Sequence, residues 1–140
     1  MRHLVLSFLA FFAVVACAKS GPTVELKGKT FTIEIAEDEA SRQHGLMDRT
    51  KMDDDHGMLF IFQDDAPRGF WMKNTKIPLD MIFLDADRKI VSVTHGAEPC
   101  VTERCPAYMS GAPARYVLEL NAGQAAKLGL TSGDELIVHR

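Results

Sequence analysis

Short apolar runs that alternate with polar residues, and that end in turn-forming residues, restrict this chain to a fold made mostly of strands. On either side of Gly28, Thr23–Lys27 and Thr30–Ala36 carry an apolar side chain at nearly every second position, which is the period of a strand with one buried face. Leu79–Leu84 and Lys89–Thr94 flank the turn sequence Asp-Ala-Asp-Arg. Both pairs of segments predict β-hairpins.

Further strands complete the expected fold. Gly57–Phe62 is apolar at successive positions, as in a strand covered on both faces, and Arg115–Leu120 and Glu135–His139 are the remaining candidates. Gln63–Arg68 and the proline-containing segment His95–Pro113 are expected to be loops. We predict a mainly β domain, a sandwich or partly open barrel of about seven short strands with two short helices, and an α+β fold is the alternative.

Two positions carry helix start signals. Asp38, followed by Glu39, is expected to cap a first helix that ends at about Gln43 or Met47. Asn121 is expected to cap a second helix over Ala122–Leu128.

The first sixteen residues have the pattern of a signal peptide. Leu4–Val15 is apolar except for Ser7, and it is shorter than the roughly 20 residues that span a bilayer. Cys17 directly follows Val-Val-Ala, as in the lipid-attachment signal of bacterial lipoproteins. Cleavage after Ala18 is the alternative, and it would release a soluble periplasmic or secreted protein.

This interpretation divides the chain into three parts. Residues 1–16 are the signal peptide, residues 17–22 a tether, and residues 23–140 a single mainly β domain. The domain is expected on the periplasmic face of the cell envelope, attached to the membrane by a lipid on Cys17. The oligomeric state is left open.

The cysteine count agrees with export. The chain has three cysteines, and lipidation of Cys17 leaves Cys100 and Cys105 to form one disulfide in an oxidising compartment. A ring this small stabilises a domain by only about 2 kcal/mol, so its main effect is on the local loop. Thiol redox chemistry is the alternative, although the two-residue spacing of thiol oxidoreductases is absent.

The stretch Gly69–Asp80 contains the only tryptophan of the chain and a group of polar residues between two apolar runs. Because Pro78 favours an extended residue before it, we expect two strands that fold back on each other around Thr75–Pro78. Lys73 would then face Asp80 across the ribbon, beside the indole of Trp71.

This ribbon predicts a ligand-binding site. An indole can stack on a flat ligand, and charged and amide groups can orient it. Arg49, which lies in an otherwise acidic segment, is expected to reach the same site and bind a carboxylate or phosphate. The alternative is an ordinary core tryptophan with an ordinary cross-strand ion pair. The predicted ligand-binding residues are Arg49, Trp71, Lys73, Asn74 and Asp80.

Composition and motifs exclude several classes of function. The net charge is −3 and no basic patch is interleaved with aromatic residues, so we expect no nucleic-acid partner. The sequence has no nucleophile elbow, no metalloprotease motif and no glycine-rich phosphate loop. No catalytic residue, metal or cofactor is predicted, with copper at the Met- and His-containing segment 44–58 as a minor alternative.

Several strings of residues stand out together along the chain. They are Gly45–Arg49, Gly57–Phe62, Phe70–Asp80, Pro99-Cys100, Cys105–Tyr108, Arg115–Glu119 and Asn121–Gly123. Together they resemble domain-of-unknown-function family 192 of bacteria and archaea. The resemblance runs from Thr23 to Val138 and implies a single mainly β domain that is often exported, with no established reaction.

Three functional hypotheses follow. The leading one is a cell-envelope lipoprotein or secreted domain that acts as a small-ligand-binding or accessory module. The second is an enzyme that acts on an envelope glycan or a small metabolite at the Trp71–Asp80 site. The third is a structural partner of another envelope protein, without a pocket.

Overall fold

A computed structural model describes residues 21–140, whose backbone forms seven strands and two short helices. The predicted signal peptide, Cys17 and the first part of the tether lie outside these residues. Within the described part, no helix is long and apolar enough to cross a membrane. The elements are β1 (Thr23–Leu26), β2 (Lys29–Ala36), α1 (Glu39–His44), β3 (His56–Trp71), β4 (Leu79–Leu84), β5 (Ile90–Ala97), β6 (Ala107–Asn121), α2 (Gln124–Leu128) and β7 (Leu136–His139).

All the strands belong to one sheet, with the order β5-β4-β6-β3-β2-β1-β7. The pairs are antiparallel except for β2 with β3, which run parallel. The two outer strands come together at one end, where Lys89 forms a bridge to Glu135 and the Ile90 N–H donates to the Asp134 carbonyl at 2.8 Å. The sheet is therefore curled into a half-barrel, which confirms the predicted mainly β, partly open barrel.

β3 does not run straight. The rings of Phe60 and Phe70 lie 4.9 Å apart, whereas ten residues of straight strand would separate them by about 33 Å. Its pairing with β6 is interrupted between Ile61 and Ala66 and again between Pro67 and Gly69, and such irregularities allow sharp bending. The second half of β3, still paired with β6, thus folds back towards the first.

Side-chain alternation and this bend produce two apolar clusters, one on each face of the sheet. The cluster inside the half-barrel includes Phe31, Leu59, Ile82 and Leu118, and α2 contributes Ala125. The second cluster lies on the opposite face, where the folded-back part of β3 brings its side chains against the sheet. Its large members are Phe60, Met72, Met81, Phe83 and Leu46, with Phe70 packed beside them.

Several local predictions are confirmed. The hairpin about Gly28 pairs Val24 with Phe31, and β4 and β5 form the second hairpin. Asp38 caps α1, because its carboxylate accepts the Ser41 N–H at 2.9 Å. The two cysteines of the domain are joined in a disulfide, with an S–S distance of 2.09 Å.

Two of the predicted loops are wrong. Gln63–Arg68 lies inside β3, and β6 begins at Ala107, within the segment His95–Pro113 that was expected to be irregular. Loops were predicted because proline usually interrupts a strand, but Pro67 and Pro113 lie opposite each other in the pairing of β3 with β6. A proline is tolerated there because the pairing is irregular at that point.

The predicted ribbon around Thr75–Pro78 and the predicted cap at Asn121 are also wrong. β4 pairs with β5 and β6, and Lys73 forms a parallel bridge to Cys100 instead of facing Asp80. α2 begins after Gly123 without a side-chain cap. The Asn121 amide instead donates to the carbonyl of Met52 at 2.8 Å.

Candidate ligand-binding cleft

A cleft of about 620 Å³ opens between α1, with the segment that follows it, and the folded-back half of β3. Its walls are rich in aromatic and apolar side chains, and two buried polar side chains, Thr75 and Glu119, also line it. The apolar lining residues are Leu46, Met47, Phe60, Phe62, Phe70 and Trp71.

The bend in β3 positions the aromatic wall. Phe70 makes edge-to-face contacts with Phe60, at 4.9 Å between ring centroids, and with Phe83, at 5.9 Å. The Arg68 guanidinium lies over the Phe62 ring at 3.9 Å, and its Nε donates to the Ala114 carbonyl. These contacts within the domain hold the rings in place, so the wall is preformed.

Glu119 is the unusual residue of the cleft. It lies in the central strand β6, opposite Met58 of β3 and Met81 of β4, and only 4% of it is exposed. Within residues 21–140 its carboxyl has neither a hydrogen bond nor an ion pair. Burial raises its pKa from the usual 4.5 to about 8, because an unpaired carboxylate is unstable away from water. At neutral pH the side chain is therefore mostly a neutral acid.

The polar groups at the rim are mostly charged. Arg42 on α1 donates to the Ile61 carbonyl at 3.1 Å and lies 5.2 Å from the Phe62 ring centroid. Lys73 is on the opposite side, where its ammonium reaches the Thr102 carbonyl at 3.5 Å. Glu39 and His44 also line this edge. The cleft thus has a charged rim, an aromatic wall and a neutral acid.

The structure brings two of the five predicted ligand-binding residues to the cleft. Trp71 lines it with 53% of its surface exposed, and Lys73 lines it nearby. Asn74 sits in a turn with a left-handed φ of 55°, and its N–H donates to the Cys100 carbonyl.

Asp80 and Arg49 lie elsewhere. Asp80 is fully buried on the half-barrel side, where its carboxylate accepts the N–H of Gly96 at 2.9 Å and of Ala125 at 2.8 Å. Arg49 donates to the Glu34 carboxylate at 2.6 Å. These side chains are engaged in contacts within the domain.

Arg49 belongs to a small charged cluster. The Arg49 guanidinium, through its hydrogen bond, lowers the pKa of the Glu34 carboxyl, and His56 bonded to the other carboxylate oxygen at 2.9 Å lowers it further. The His56 ring also contacts the Thr32 hydroxyl at 2.9 Å. The cluster links β2, the start of β3 and the loop that carries Arg49.

The cleft residues that sequence reasoning missed are Glu119 and the phenylalanines of β3. One signal was present for Glu119, because it is the single charged residue in the apolar run Val117–Leu120. A charge inside a central strand is rare unless it is paired or functional. Among residues 21–140 there is no group of three or more His, Cys, Asp or Glu side chains that could hold a metal ion.

Residues 21–140 thus form a small curled β-domain with an aromatic-walled cleft of about 620 Å³. The chain belongs to domain-of-unknown-function family 192, described as uncharacterized ACR, whose model matches residues 22–138. No curated protein matches the chain significantly.

Two crystal structures resemble the domain closely. A protein from Sinorhizobium meliloti 1021, provisionally described as a transcription regulator, is 40% identical with a TM-score of 0.76, over 86% of this chain and 98% of that chain. A protein of unknown function from Novosphingobium aromaticivorans DSM 12444 is 34% identical with a TM-score of 0.75, over 89% of this chain and 91% of that one. Both likenesses extend over nearly the whole domain.

Proposed function

We propose that this chain is an exported cell-envelope domain that binds a small ligand in the cleft lined by Glu119. The observation that carries the proposal is that Glu119, only 4% exposed, lines the cleft beside a preformed aromatic wall and has no hydrogen bond or ion pair within residues 21–140. Among the described residues no fully buried side-chain oxygen or nitrogen lacks a partner, so the carboxyl of Glu119 is accessible from the cleft that it lines, where a ligand can form a hydrogen bond to it.

The shape of the cleft supports a small ligand. Its volume of about 620 Å³ falls in the range of small-molecule sites, which are mostly apolar with a few placed polar groups. Trp71 is half exposed at the edge of the cleft, where its indole is free to stack on a ring. Lys73 and Arg42 provide charge at the entrance.

Export is supported by sequence and by the disulfide. The apolar run Leu4–Val15 followed by Cys17 is typical of a lipoprotein signal, and the Cys100–Cys105 bridge is of the kind that persists in oxidising compartments. In this proposal the domain is attached to the membrane by a lipid on Cys17. Such a lipid carries several acyl chains, which anchor a protein firmly. Mass spectrometry of the native N-terminus distinguishes the lipidated from the soluble form.

An enzyme is the second candidate, and one observation favours it. The raised pKa of Glu119, about 8, suits a general acid that protonates a leaving group at neutral pH. The other carboxylate of the cleft, Glu39, is exposed at the rim. Turnover of an envelope glycan that Glu119→Gln abolishes would establish this alternative.

The binding proposal is tested by a thermal-shift screen of the domain against envelope sugars, peptides and nucleotides. Trp71 is the only tryptophan and lines the cleft, so each stabilising compound should also change its fluorescence in a saturable way. Asp87→Ala, a surface change outside the cleft, is the control and should leave both signals unchanged. Compounds that stabilise the domain without affecting Trp71 would contradict binding in this cleft.

A further inference from the structure

A second cavity, of about 390 Å³, opens on the other face of the sheet from the cleft. Leu59 and Ile61 of β3 line it, whereas Phe60 and Phe62, which alternate with them along the strand, line the cleft. Leu59 belongs to the apolar core inside the half-barrel, and Ile61 packs against that core. We call this cavity the half-barrel mouth. Its lining residues are Leu59, Ile61, Arg88, Tyr116, Val138 and Arg140.

The half-barrel mouth lies between strands that are not neighbours in the sheet. Ile61 stands opposite Tyr116 in the pairing of β3 with β6, whereas Val138 belongs to β7 at the edge of the sheet. The outer strands β5 and β7 approach each other near Lys89 and Glu135, but they are the two ends of the strand order, so the barrel stays partly open. The mouths of β-barrels are frequent small-molecule sites, and this volume lies within the range of such sites.

Two arginines line the half-barrel mouth, and no acidic side chain among residues 21–140 does so. Arg88 lies in the turn between β4 and β5, where its carbonyl accepts the N–H of Leu136 at 2.9 Å and so links the turn to β7. The Arg88 guanidinium has neither a hydrogen bond nor an ion pair within residues 21–140. Arg140 is 3.4 Å from the carboxylate of Glu37, and both side chains are more than half exposed, so this pair is weak.

The acidic residues closest to Arg88 in sequence do not neutralise it. Asp85 and Asp87 share its turn but form no ion pair with it in the described part of the chain. The Asp85 carboxylate instead accepts the backbone N–H groups of Asp87 and Lys89, each at 2.9 Å. The half-barrel mouth therefore combines aliphatic side chains with one arginine that lacks a counter-ion and one that is weakly paired.

We propose that the half-barrel mouth binds a monocarboxylate with an aliphatic chain. The chain lies against Leu59, Ile61 and Val138, because contact with them removes its apolar surface from water. Arg88 binds the carboxylate, since a guanidinium can donate two parallel hydrogen bonds to it. The Tyr116 hydroxyl, which has no hydrogen bond within residues 21–140, is a further donor. This site goes beyond the function proposed for the cleft and does not depend on it.

Other charged groups fit the half-barrel mouth less well. An ammonium is repelled by both arginines. A phosphate monoester carries a charge of about −1.5 to −2 at neutral pH, which is more than the single unpaired guanidinium of Arg88 neutralises. A carboxylate has the one negative charge that matches it. An alcohol of the same length can use the apolar wall but gains nothing from the arginines.

The test compares octanoate, octan-1-ol, octylammonium and octyl phosphate, which share one chain, with acetate, which lacks it. Binding is followed by NMR of the backbone N–H groups of Ile61, Tyr116 and Val138 in the purified protein, while the indole N–H of Trp71 reports on the cleft. At neutral pH octanoate should bind about fivefold more tightly than octan-1-ol, the value of one exposed ion pair. Acetate should bind at least about tenfold more weakly than octanoate, because it buries no chain.

Variants separate the charge from the apolar wall. Arg88→Gln keeps the length of the side chain and should weaken octanoate about fivefold while octan-1-ol is unaffected. Arg140→Gln should have a smaller effect, because Glu37 already offsets this charge. Arg104→Gln, an exposed arginine outside both cavities, makes the same change in net charge and should change neither affinity. Val138→Thr adds a hydroxyl to the wall and should weaken octanoate and octan-1-ol alike.

A carboxylate beside an aliphatic body occurs both in free fatty acids and at the C-terminus of a peptide that ends in an aliphatic residue. Octanoate represents the first source and N-acetylleucine the second. Tighter binding of either at the half-barrel mouth, with the same loss in Arg88→Gln, supports the monocarboxylate and identifies its source.

Several outcomes overturn the proposal. They are binding of octan-1-ol or octylammonium as tight as that of octanoate, tighter binding of octyl phosphate, equal binding of acetate and octanoate, and no response of the three N–H groups to octanoate or N-acetylleucine. If octanoate shifts only the Trp71 signal, it occupies the cleft, so the second site fails while the function proposed for the cleft stands. A response at the half-barrel mouth without one at Trp71 is the expected result, and it holds whether or not the cleft has a ligand.

Discussion

Asp80 and Glu119 lie on adjacent strands but on opposite faces of one sheet. Asp80 stands opposite Leu120, and Glu119 stands opposite Met81, so side-chain alternation sends the two carboxyls to different sides. Asp80 accepts two backbone hydrogen bonds inside the half-barrel, whereas Glu119 has no partner within residues 21–140 and lines the cleft. One carboxyl stabilises the fold, and the other lines the cleft.

Glu119 should make the stability of the domain fall as the pH rises. Its pKa is about 8 in the folded protein and about 4.5 in the unfolded chain, so the folded state holds the extra proton between these values. The stability that the neutral acid contributes is present below pH 4.5 and is lost as the pH rises through 8. Relative to Glu119→Gln, the unfolding free energy of the wild type should fall by up to about 5 kcal/mol between pH 4.5 and 9.

This is measured by urea unfolding of both proteins across the pH range. Because every other titrating group is shared, their contributions cancel in the comparison. Parallel curves for the wild type and Glu119→Gln would show that the carboxyl is not held neutral by burial.

Trp71→Ala should affect binding and not folding. The indole is 53% exposed, so its removal should lower the unfolding free energy by less than about 1 kcal/mol. Binding of a compound found in the thermal-shift screen should be lost, as measured by calorimetry, and Trp71→Phe should retain part of it because a flat ring remains. A loss of several kcal/mol of stability would instead make Trp71 a core residue.

Asp80→Ala should have the opposite effect. It leaves the N–H groups of Gly96 and Ala125 without their acceptor, which should lower the unfolding free energy by about 2–5 kcal/mol. Thermal melting measures the change, and Asp87→Ala on the exposed turn is the matched control. If the Asp80→Ala protein had normal stability but no longer bound ligand, Asp80 would be a binding residue and not a structural one.

Gly57 should tolerate no side chain. A Cβ at this position would lie 2.5 Å from the backbone oxygen of Glu119 and 2.6 Å from Leu120, so Gly57→Ala should separate β3 from β6 and lower the unfolding free energy by several kcal/mol. Gly69→Ala on the same strand is the control, since its nearest atom, 3.0 Å away, belongs to the flexible side chain of Met109. Equal melting temperatures for the two variants would contradict the close approach.

Removal of the disulfide should weaken one side of the cleft. Cys100 and Cys105 are five residues apart, so replacing both by Ser should lower the unfolding free energy by about 2 kcal/mol. Cys100 is also paired with the chain at Lys73, and the ligand affinity should fall with the stability. Calorimetry with and without a reducing agent checks both effects, and an unchanged affinity would separate the bridge from the cleft.

The sequence predicted those features that depend on neighbouring residues. The hairpin about Gly28 and the cap at Asp38 are set by turn geometry and by a hydrogen bond over three residues. The ribbon at Thr75–Pro78 failed because pairing with the nearest segment was assumed, whereas β4 pairs with β6, which lies far along the chain. Local patterns do not contain that information.

The cleft was only partly predictable for the same reason. Trp71 and Lys73 were predicted as binding residues because they lie in one unusual stretch of sequence, and both line the cleft. Glu119 comes to the same place only through the bend of β3 and its pairing with β6. No spacing in the sequence reveals a contact that depends on such a bend.

The first and last strands of the domain are neighbours, since Thr23 pairs with His139. β1 gains its outer partner only when the C-terminal residues have been synthesised, and closing so large a loop costs considerable entropy. The complete sheet can therefore form only once β7 has been synthesised, on the slower timescale of folds dominated by distant contacts. A chain that lacks β7 would leave β1 as an unpaired edge of the sheet.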